Sequence, residues 1–480
     1  MLLSSGDIRA PSAALSRRAA RGAALAAAVA GILLGAGALR AETIGGALVK
    51  AYFNNPDINQ QRAAVRASDE NVPKAFAGYL PTVTAQGNAA VQQLDAYGPG
   101  VLTGSGSQSL FSKPRGYGLT VNETLWNGDR TFNSVRQAES GVMAARETLR
   151  NTEQNVLLSG VTSYMDVLRD TAILQLDRNN VEVLQEQLRQ TNDRFTVGEV
   201  TRTDVAQAEA SLAGAQATAL QAQSTLQTSI ATYRQVIGEE PKNLAPVKAL
   251  DKPLPKTLTE AIAISQVEHP AIVGSLFGVD AAELNIKVIE GALLPTVGLT
   301  GQITQSSDVT GYPLPNRELI ASLMGQINIP IYDGGATYAS TRQAKEQLGQ
   351  QELQTDLQRD KVRAAVVSAW GVNSNSAAII RSAKAQVAAA EIALAGVREE
   401  AKVGQRTTFD VLTAQQTLLS ARVTLVSAQH DAVVASYAVM SAVGRLSTAN
   451  LGLAATQYDP KVHFDQVKDK WFGLRTPDGR

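Results

Sequence analysis

Cysteine is absent from this 480-residue chain. That excludes disulfides, a thiol nucleophile, thiolate metal ligands and a lipid anchor carried on cysteine. Histidine occurs three times, at the scattered positions His269, His430 and His463. No P-loop, Gly-rich dinucleotide turn or metal-spaced cluster accompanies them, so neither a catalytic site, a cofactor nor a metal has candidate residues. Aromatics make up 5% of the chain, thin for several compact cores. Lys plus Arg equals Asp plus Glu at 44 each, which leaves no basic field for nucleic acid and no acidic solvating tail. Long apolar runs are missing too. The longest, Ala23 to Ala38, is shorter than the ~20 residues a spanning helix needs. It follows Arg9, Arg17, Arg18 and Arg21 and leads to the small residues Ala36-Gly37-Ala38 and Ala41. Residues 1–41 therefore read as a secretory signal. Past it, any membrane crossing must be made by strands.

What the chain does contain is one unit written twice. Asn55-Pro56 and Leu80-Pro81 return as His269-Pro270 and Leu294-Pro295, each 214 residues later. Trp126-Asn127-Gly128, Val197-Gly198, Asp204-Val205 and Gly238 return as Tyr332-Asp333-Gly334, Val403-Gly404, Asp410-Val411 and Gly444, each 206 later. Two strict registers with one length change between them indicate a tandem duplication. The divisions are residues 42–240 (repeat 1), 241–256 (a Pro-rich linker), 257–456 (repeat 2) and a tail, 457–480.

Within each copy the hydrophobic period changes twice. A helical pattern from Ile44 stops at Pro81, which cannot continue it. Val83, Ala85, Ala89 and Val91 then alternate with Thr82, Thr84, Gln86 and Asn88, the mark of a strand with one apolar and one polar face. The expected strands cover about 82–93 and 117–126, then about 296–305 and 319–331. Gly98 to Ser109, rich in Gly and Ser, reads as a loop. Glu123 interrupts the apolar parity: either it lies near a strand end, or the face assignment fails there. Pro81 and Pro295 mark helix-to-strand junctions; Gly128 and Gly334 mark strand-to-helix junctions.

After each Gly the period returns to helix. No proline intervenes between Pro114 and Pro241, or between Pro330 and Pro460. Each zone holds two helices meeting at Val197-Gly198 or Val403-Gly404. A run of about 65 residues would be about 100 Å long, far more than a compact domain needs. Val205, Ala208, Leu212, Ala215 and Ala219 form a coiled-coil seam, as do Val411, Ala414, Leu418, Ala421 and Leu425.

Strands of about ten residues match the ~9–11 that a tilted strand needs to cross a bilayer. Spanning strands must close into a barrel, and the smallest such barrels have about 8 strands. Four per chain cannot close, so two or three chains must pool theirs. A periplasmic coiled-coil adaptor or scaffold is the alternative, and it requires no spanning strands.

Jointly these segments resemble the TolC-type outer-membrane factor family from Glu42 to about Thr456. The resemblance is carried by Leu80-Pro81-Thr82, Leu294-Pro295-Thr296, Ile331-Tyr332-Asp333-Gly334-Gly335, Arg194 to Val205, and Val403 to Leu412. It implies a mixed α and β membrane protein: a homotrimer whose twelve-strand β-barrel sits in outer-membrane lipid and continues as a long periplasmic α-helical coiled-coil barrel. It implies a passive exit duct for efflux or type I secretion, docked to a periplasmic adaptor and an inner-membrane transporter. The absent cysteine matches the unlipidated members. The resemblance further places Thr203, Asp204, Arg406 and Asp410 at a periplasmic constriction. A second acidic position of the family falls on Thr413 and a tyrosine position on Ala401, so this chain lacks half of the acidic ring and one gate partner. Thr203, Asp204 and Asp410 can equally be read as helix caps. Arg406 opposes the helix dipole, which calls for an acid beside it.

Overall fold

A computed structural model describes residues 41–98, 106–250, 254–308 and 317–479. The expected signal lies almost wholly outside these residues, as do 99–105 of the expected loop and 251–253 of the linker. No described helix is long and apolar enough to cross a membrane.

Three short helices open the chain: α1 (Ile44–Asn54), α2 (Pro56–Asp69) and α3 (Asn71–Phe76). A 3-10 turn, Ala77–Tyr79, ends at Leu80-Pro81, and β1 (Thr82–Ala89) begins at once. β2 (Gln92–Gly98), β3 (Gly106–Ser112) and β4 (Arg115–Trp126) follow. Then come α4 (Arg130–Thr196, 67 residues) and α5 (Arg202–Ile237, 36 residues). The second half runs α6 (Leu258–Glu268), α7 (Pro270–Glu290), β5 (Thr296–Ser307), β6 (Arg317–Asn328), α8 (Ala336–Lys402) and α9 (Thr408–Val443). α8 and α9 again have 67 and 36 residues. The chain closes with α10 (Pro460–Val467).

One antiparallel sheet has the order β1-β4-β5-β6. Its register sorts the side chains by polarity. Val83, Val121, Gly301 and Leu323 stand in one rank across the four strands, and Thr84, Thr120, Gln302 and Ser322 stand in the next. Directly paired residues share a face, so the sheet has one largely apolar and one largely polar side, with Ile320 and Met324 as exceptions on the polar one. Asn122 accepts from Thr300 Oγ1 at 3.0 Å, tying the polar side across strands. Glu123 lies close to the end of β4, just before the register shift between Thr124 and Trp126.

Three strand expectations need correction. The first strand does not run to 93: β1 stops at Ala89, and Gln92 and Gln93 open β2. β6 stops at Asn328 and not at 331, because Pro330 has no N–H to give a ladder. The Gly98–Ser109 stretch is not all loop. Gly106–Ser109 belong to β3, which pairs with β2 as a two-stranded ribbon carried beyond the sheet. Gln93 Nε2 donates to Ser109 Oγ at 3.1 Å across it. Backbone ladder bonds form without apolar side chains, so composition concealed this strand.

Gly and Asx residues turn strands into helices at both junctions. Gly128 and Asp129 have φ of 68° and 61°, Gly334 and Gly335 have 74° and 85°. Asn127 accepts from the Thr131 amide at 3.3 Å. Asp333 accepts from the Thr337 amide at 2.8 Å and from its hydroxyl. The same lock recurs 206 residues on.

The main core lies near the midpoint of α4, where Leu157, Val161 and Tyr164 pack with Leu48, Tyr52, Tyr233, Ile237 and Met440. The inter-helix segment after Gly238 passes here. Glu42 N donates to Asn243 O at 3.0 Å, Ala245 N donates to Glu42 O at 2.9 Å, and the Tyr164 hydroxyl lies 2.6 Å from Glu42 O. Below this collar the helices pair with small residues at seven-residue spacing, among them the buried Ala208, Ala215 and Ala222 of α5 and Ala421 and Ala428 of α9. Alanine there lets axes approach closely, and the seven-residue repeat sets a coiled-coil seam.

α7 begins with an unusual cap. Asn55 Oδ1 accepts from Asp57 N at 2.8 Å at the start of α2, whereas His269 Nδ1 accepts from Ala271 N at 3.2 Å at the start of α7. Only a neutral imidazole can accept in this way. Burial, with Arg150 second, pulls His269 down to about 4. The unfolded chain binds this proton near the ordinary value of 6.5. The stability it protects is therefore complete above pH 6.5 and falls between there and about pH 4, at roughly 1 kcal/mol per pH unit. Thermal melts at pH 7.5 and 5.0 are expected to differ less for His269→Asn than for the natural chain. An equal difference in both would remove His269 from the acid response.

Candidate functional site at the hairpin tips

The end of the molecule farthest from the sheet is made by two hairpin tips. α4 turns into α5 through Val197-Gly198, and α8 turns into α9 through Val403-Gly404. Gly198 and Gly404 both have φ of 80°, and their amides donate to Phe195 O and Ala401 O. The next amides, Glu199 and Gln405, each reach back 2.9 Å to Arg194 O and Glu400 O. These bonds satisfy carbonyls left open by the helix end.

Each outgoing helix starts with a reciprocal capping box. Thr201 Oγ1 accepts from Asp204 N, while Asp204 Oδ2 accepts from Thr201 N at 2.9 Å. Thr407 and Asp410 repeat this at 2.9 Å. The capping hydroxyl therefore belongs to Thr201 and not to Thr203, which lies in the first turn. Both caps could have been found from the Thr-x-x-Asp spacing. Bonds from the threonine hydroxyl and amide hold Asp204 below the usual carboxylate range; the Thr407 amide and hydroxyl do so for Asp410. Both stay ionised at neutral pH.

Arg406 finds its acid in Glu400, with Nε at 2.9 Å from Oε2. The first tip inverts the polarity: Arg194 on the incoming helix pairs with Glu199 of the turn at 3.0 Å. Position 400 is the repeat partner of position 194, so charge signs alternate between otherwise matching tips. This exchange was not anticipated from the sequence. Both pairs are exposed, and such pairs contribute only ~0–1 kcal/mol. The structure does not join Asp204 to Arg406; each is held inside its own hairpin. Between the incoming helices lies a cleft of about 800 Å³ bounded by Glu186, Arg194, Arg398 and Lys402.

A sheet largely apolar on one face and continued by helices about 100 Å long is the architecture of this chain. The sequence profile described as outer membrane efflux protein matches residues 47–239 and 262–445, and the chain belongs to that family. Among relatives, the outer membrane efflux protein BepC of Brucella suis biovar 1 (strain 1330) is 44% identical over 449 residues, covering 94% of this chain and 95% of that protein. The outer membrane protein TolC of Escherichia coli (strain K12) is 26% identical, with 84% and 82% covered. The crystal structure of the Campylobacter jejuni CmeC outer membrane channel superposes with a TM-score of 0.75 at 17% identity, covering 89% of each chain. The protein is an outer-membrane exit duct that extends into the periplasm.

Proposed function

We propose that three copies pool their strands into one twelve-strand barrel and their helices into one tunnel, and that the whole is a passive conduit. The observation that carries this reading is the pair of free sheet edges, β1 and β6. Four antiparallel strands leave these edges running in opposite directions, so the β6 of one copy can accept the β1 of the next in the same pattern. Strand edges left open in lipid leave backbone groups unpaired, and twelve strands leave a lumen wider than eight do. Each strand of the sheet is also continuous with one helix of a matching layer, in the order α2/α3, α4, α7, α8. The two profile matches and the repeated helix lengths support descent by duplication.

Energy and cargo choice come from an inner-membrane transporter and a periplasmic adaptor. One relative of Pseudomonas aeruginosa is named an alkaline protease secretion protein, at 26% identity over 71% of this chain. Efflux and protein secretion are therefore both within reach of the architecture. A periplasmic adaptor, the alternative, has no use for a one-sided apolar sheet. Purified protein in detergent is expected to have the mass of a trimer and to form channels in planar bilayers. A monomer, or a silent bilayer, would sink the proposal.

Thr203, Asp204, Arg406 and Asp410 line the closed end of this conduit. Weak exposed links repeated threefold hold it shut while leaving a partner able to open it. Arg406→Ala releases Glu400, and Asp204→Ala removes a cap bond as well as a charge, costing about 1 kcal/mol locally. Each is expected to raise single-channel conductance. Unchanged conductance in both variants would take these residues out of the gate.

A further inference from the structure

We propose that the C-terminal segment Trp471–Leu474 leaves its own subunit and packs on α8 of the neighbouring copy, strapping the ring together in the periplasm. This rests on the trimeric reading above.

The path of the tail leads to the subunit's edge. Arg445 is clamped by Glu268, just before α7, at 2.6 and 2.7 Å. The Thr448 amide donates to Glu153 of α4 at 3.2 Å. The Tyr458 amide donates to the Tyr52 hydroxyl of α1 at 3.0 Å. His463 Nδ1 meets Asp69, at the end of α2, at 2.9 Å, and the Asp69 side chain is fully buried. The Arg146 guanidinium sits 5.1 Å over the Phe464 ring. The tail thus crosses the end of α6, then α4 and α1, and is fastened at α2, the flank that carries the sheet edge β1. Val467 is fully buried, but beyond it Trp471, Phe472 and Leu474 are 79%, 84% and 103% exposed. The Trp471 and Phe472 rings stand together, centroids 6.2 Å apart. An anchored helix that presents an aromatic pair to water at a subunit edge points to a missing surface.

The repeat supplies that surface. Glu147 of α4 touches α7 at Gly274, where an added Cβ would lie 3.2 Å from the glutamate Cβ. The residue 206 positions later, Leu353 on α8, is 70% exposed, and Leu357, one turn on, is 46% exposed. Where α4 meets α7 inside one subunit, the equivalent flank of α8 has no neighbour among the described residues, because its own α7 lies on the other side. A ring in which the next copy's α2 takes the place of α7 brings that copy's tail to Leu353. The heights agree. Arg146, beneath the tail, is sixteen residues into α4, and Leu353 is seventeen into α8. Sixteen residues of helix also set the tail about 24 Å from the strand junction, too deep in the periplasm for lipid to cover these rings.

The chain contains no cysteine of its own, so introduced pairs report cleanly. Phe472→Cys with Leu353→Cys, and separately Trp471→Cys with Leu357→Cys, are treated with a short bismaleimide as intact detergent-solubilised protein. At least one pair is expected to yield two- and three-chain species on denaturing gels, absent from every single variant. A trimer by native mass in which neither pair links overturns the strap and leaves the trimer standing. The absence of any trimer overturns the reading beneath it instead. Trp471→Ala with Phe472→Ala is expected to assemble but to lower the temperature at which the trimer dissociates in SDS by several degrees. No shift would overturn the strap as well.

Discussion

Arginine in place of Leu323 is expected to abolish stable insertion. Leu323 lies midway along β6, in one rank with Val121 and Gly301, on the apolar face of the sheet. It is 74% exposed in the single chain, and in the proposed barrel that face meets lipid. A cation on the lipid face near the bilayer midplane costs about 2–4 kcal/mol per site. In the proposed trimer, three copies would raise this to roughly 6–12 kcal/mol, comparable to the whole stability of an ordinary domain of about 5–15 kcal/mol. Gln302→Arg is the matched control. It sits one rank away on the polar face, beside Thr120 and Ser322, where water solvates the charge. Heat-modifiable migration of the outer-membrane fraction reads both. Loss in Leu323→Arg with retention in Gln302→Arg is expected. Equal loss in both would mean that the faces are not divided between lipid and lumen.

A second large effect is expected from Gly128→Ala. Gly128 adopts φ of 68°, and an added Cβ would lie 2.4 Å from Gly291 O, while one on Gly291 would lie 2.4 Å from Gly128 O. Two backbones touch here, where β4 becomes α4 and α7 approaches β5. No flexible side chain can yield. The left-handed backbone alone costs an ordinary residue about 1–2 kcal/mol, and the clash must be relieved by separating α4 from α7. The combined loss is expected to be roughly 4 kcal/mol or more, in the range that marks strain at special backbone positions. Gly198→Ala isolates the first effect: φ is 80° and nothing stands within 4 Å. Thermal dissociation of the assembled protein should fall steeply for Gly128→Ala and slightly for Gly198→Ala. Similar shifts in the two would show that packing at the junction contributes little.

Much of this architecture was legible because its causes are local. A proline cannot continue a helix, a glycine can hold positive φ, and side-chain alternation follows from the two-residue period of a strand. Pro81, Gly128, Pro295 and Gly334 each mark a junction in the chain itself. The same locality puts the Thr-x-x-Asp caps within reach, with the capping hydroxyl on Thr201 and Thr203 in the first turn. Repetition did the rest, since two registers held over hundreds of residues.

What stayed hidden depends on partners distant in sequence. The β2–β3 ribbon is a backbone ladder between segments with no apolar alternation, and nothing in Gly106–Ser109 announces it. The acid beside Arg406 could be expected but not chosen, because turn geometry decides that Glu400 faces it. Glu123 broke the parity of its strand, and the register shift after Thr124 became visible only with β5 alongside. The fastening of the tail to Asp69 joins residues nearly four hundred positions apart. Period, punctuation and duplication were therefore written in the chain, because dihedral preferences and side-chain spacing act over a few residues. Register, ion-pair partners and the route of the tail came only with tertiary structure, because each is a choice among many surfaces that packing alone makes.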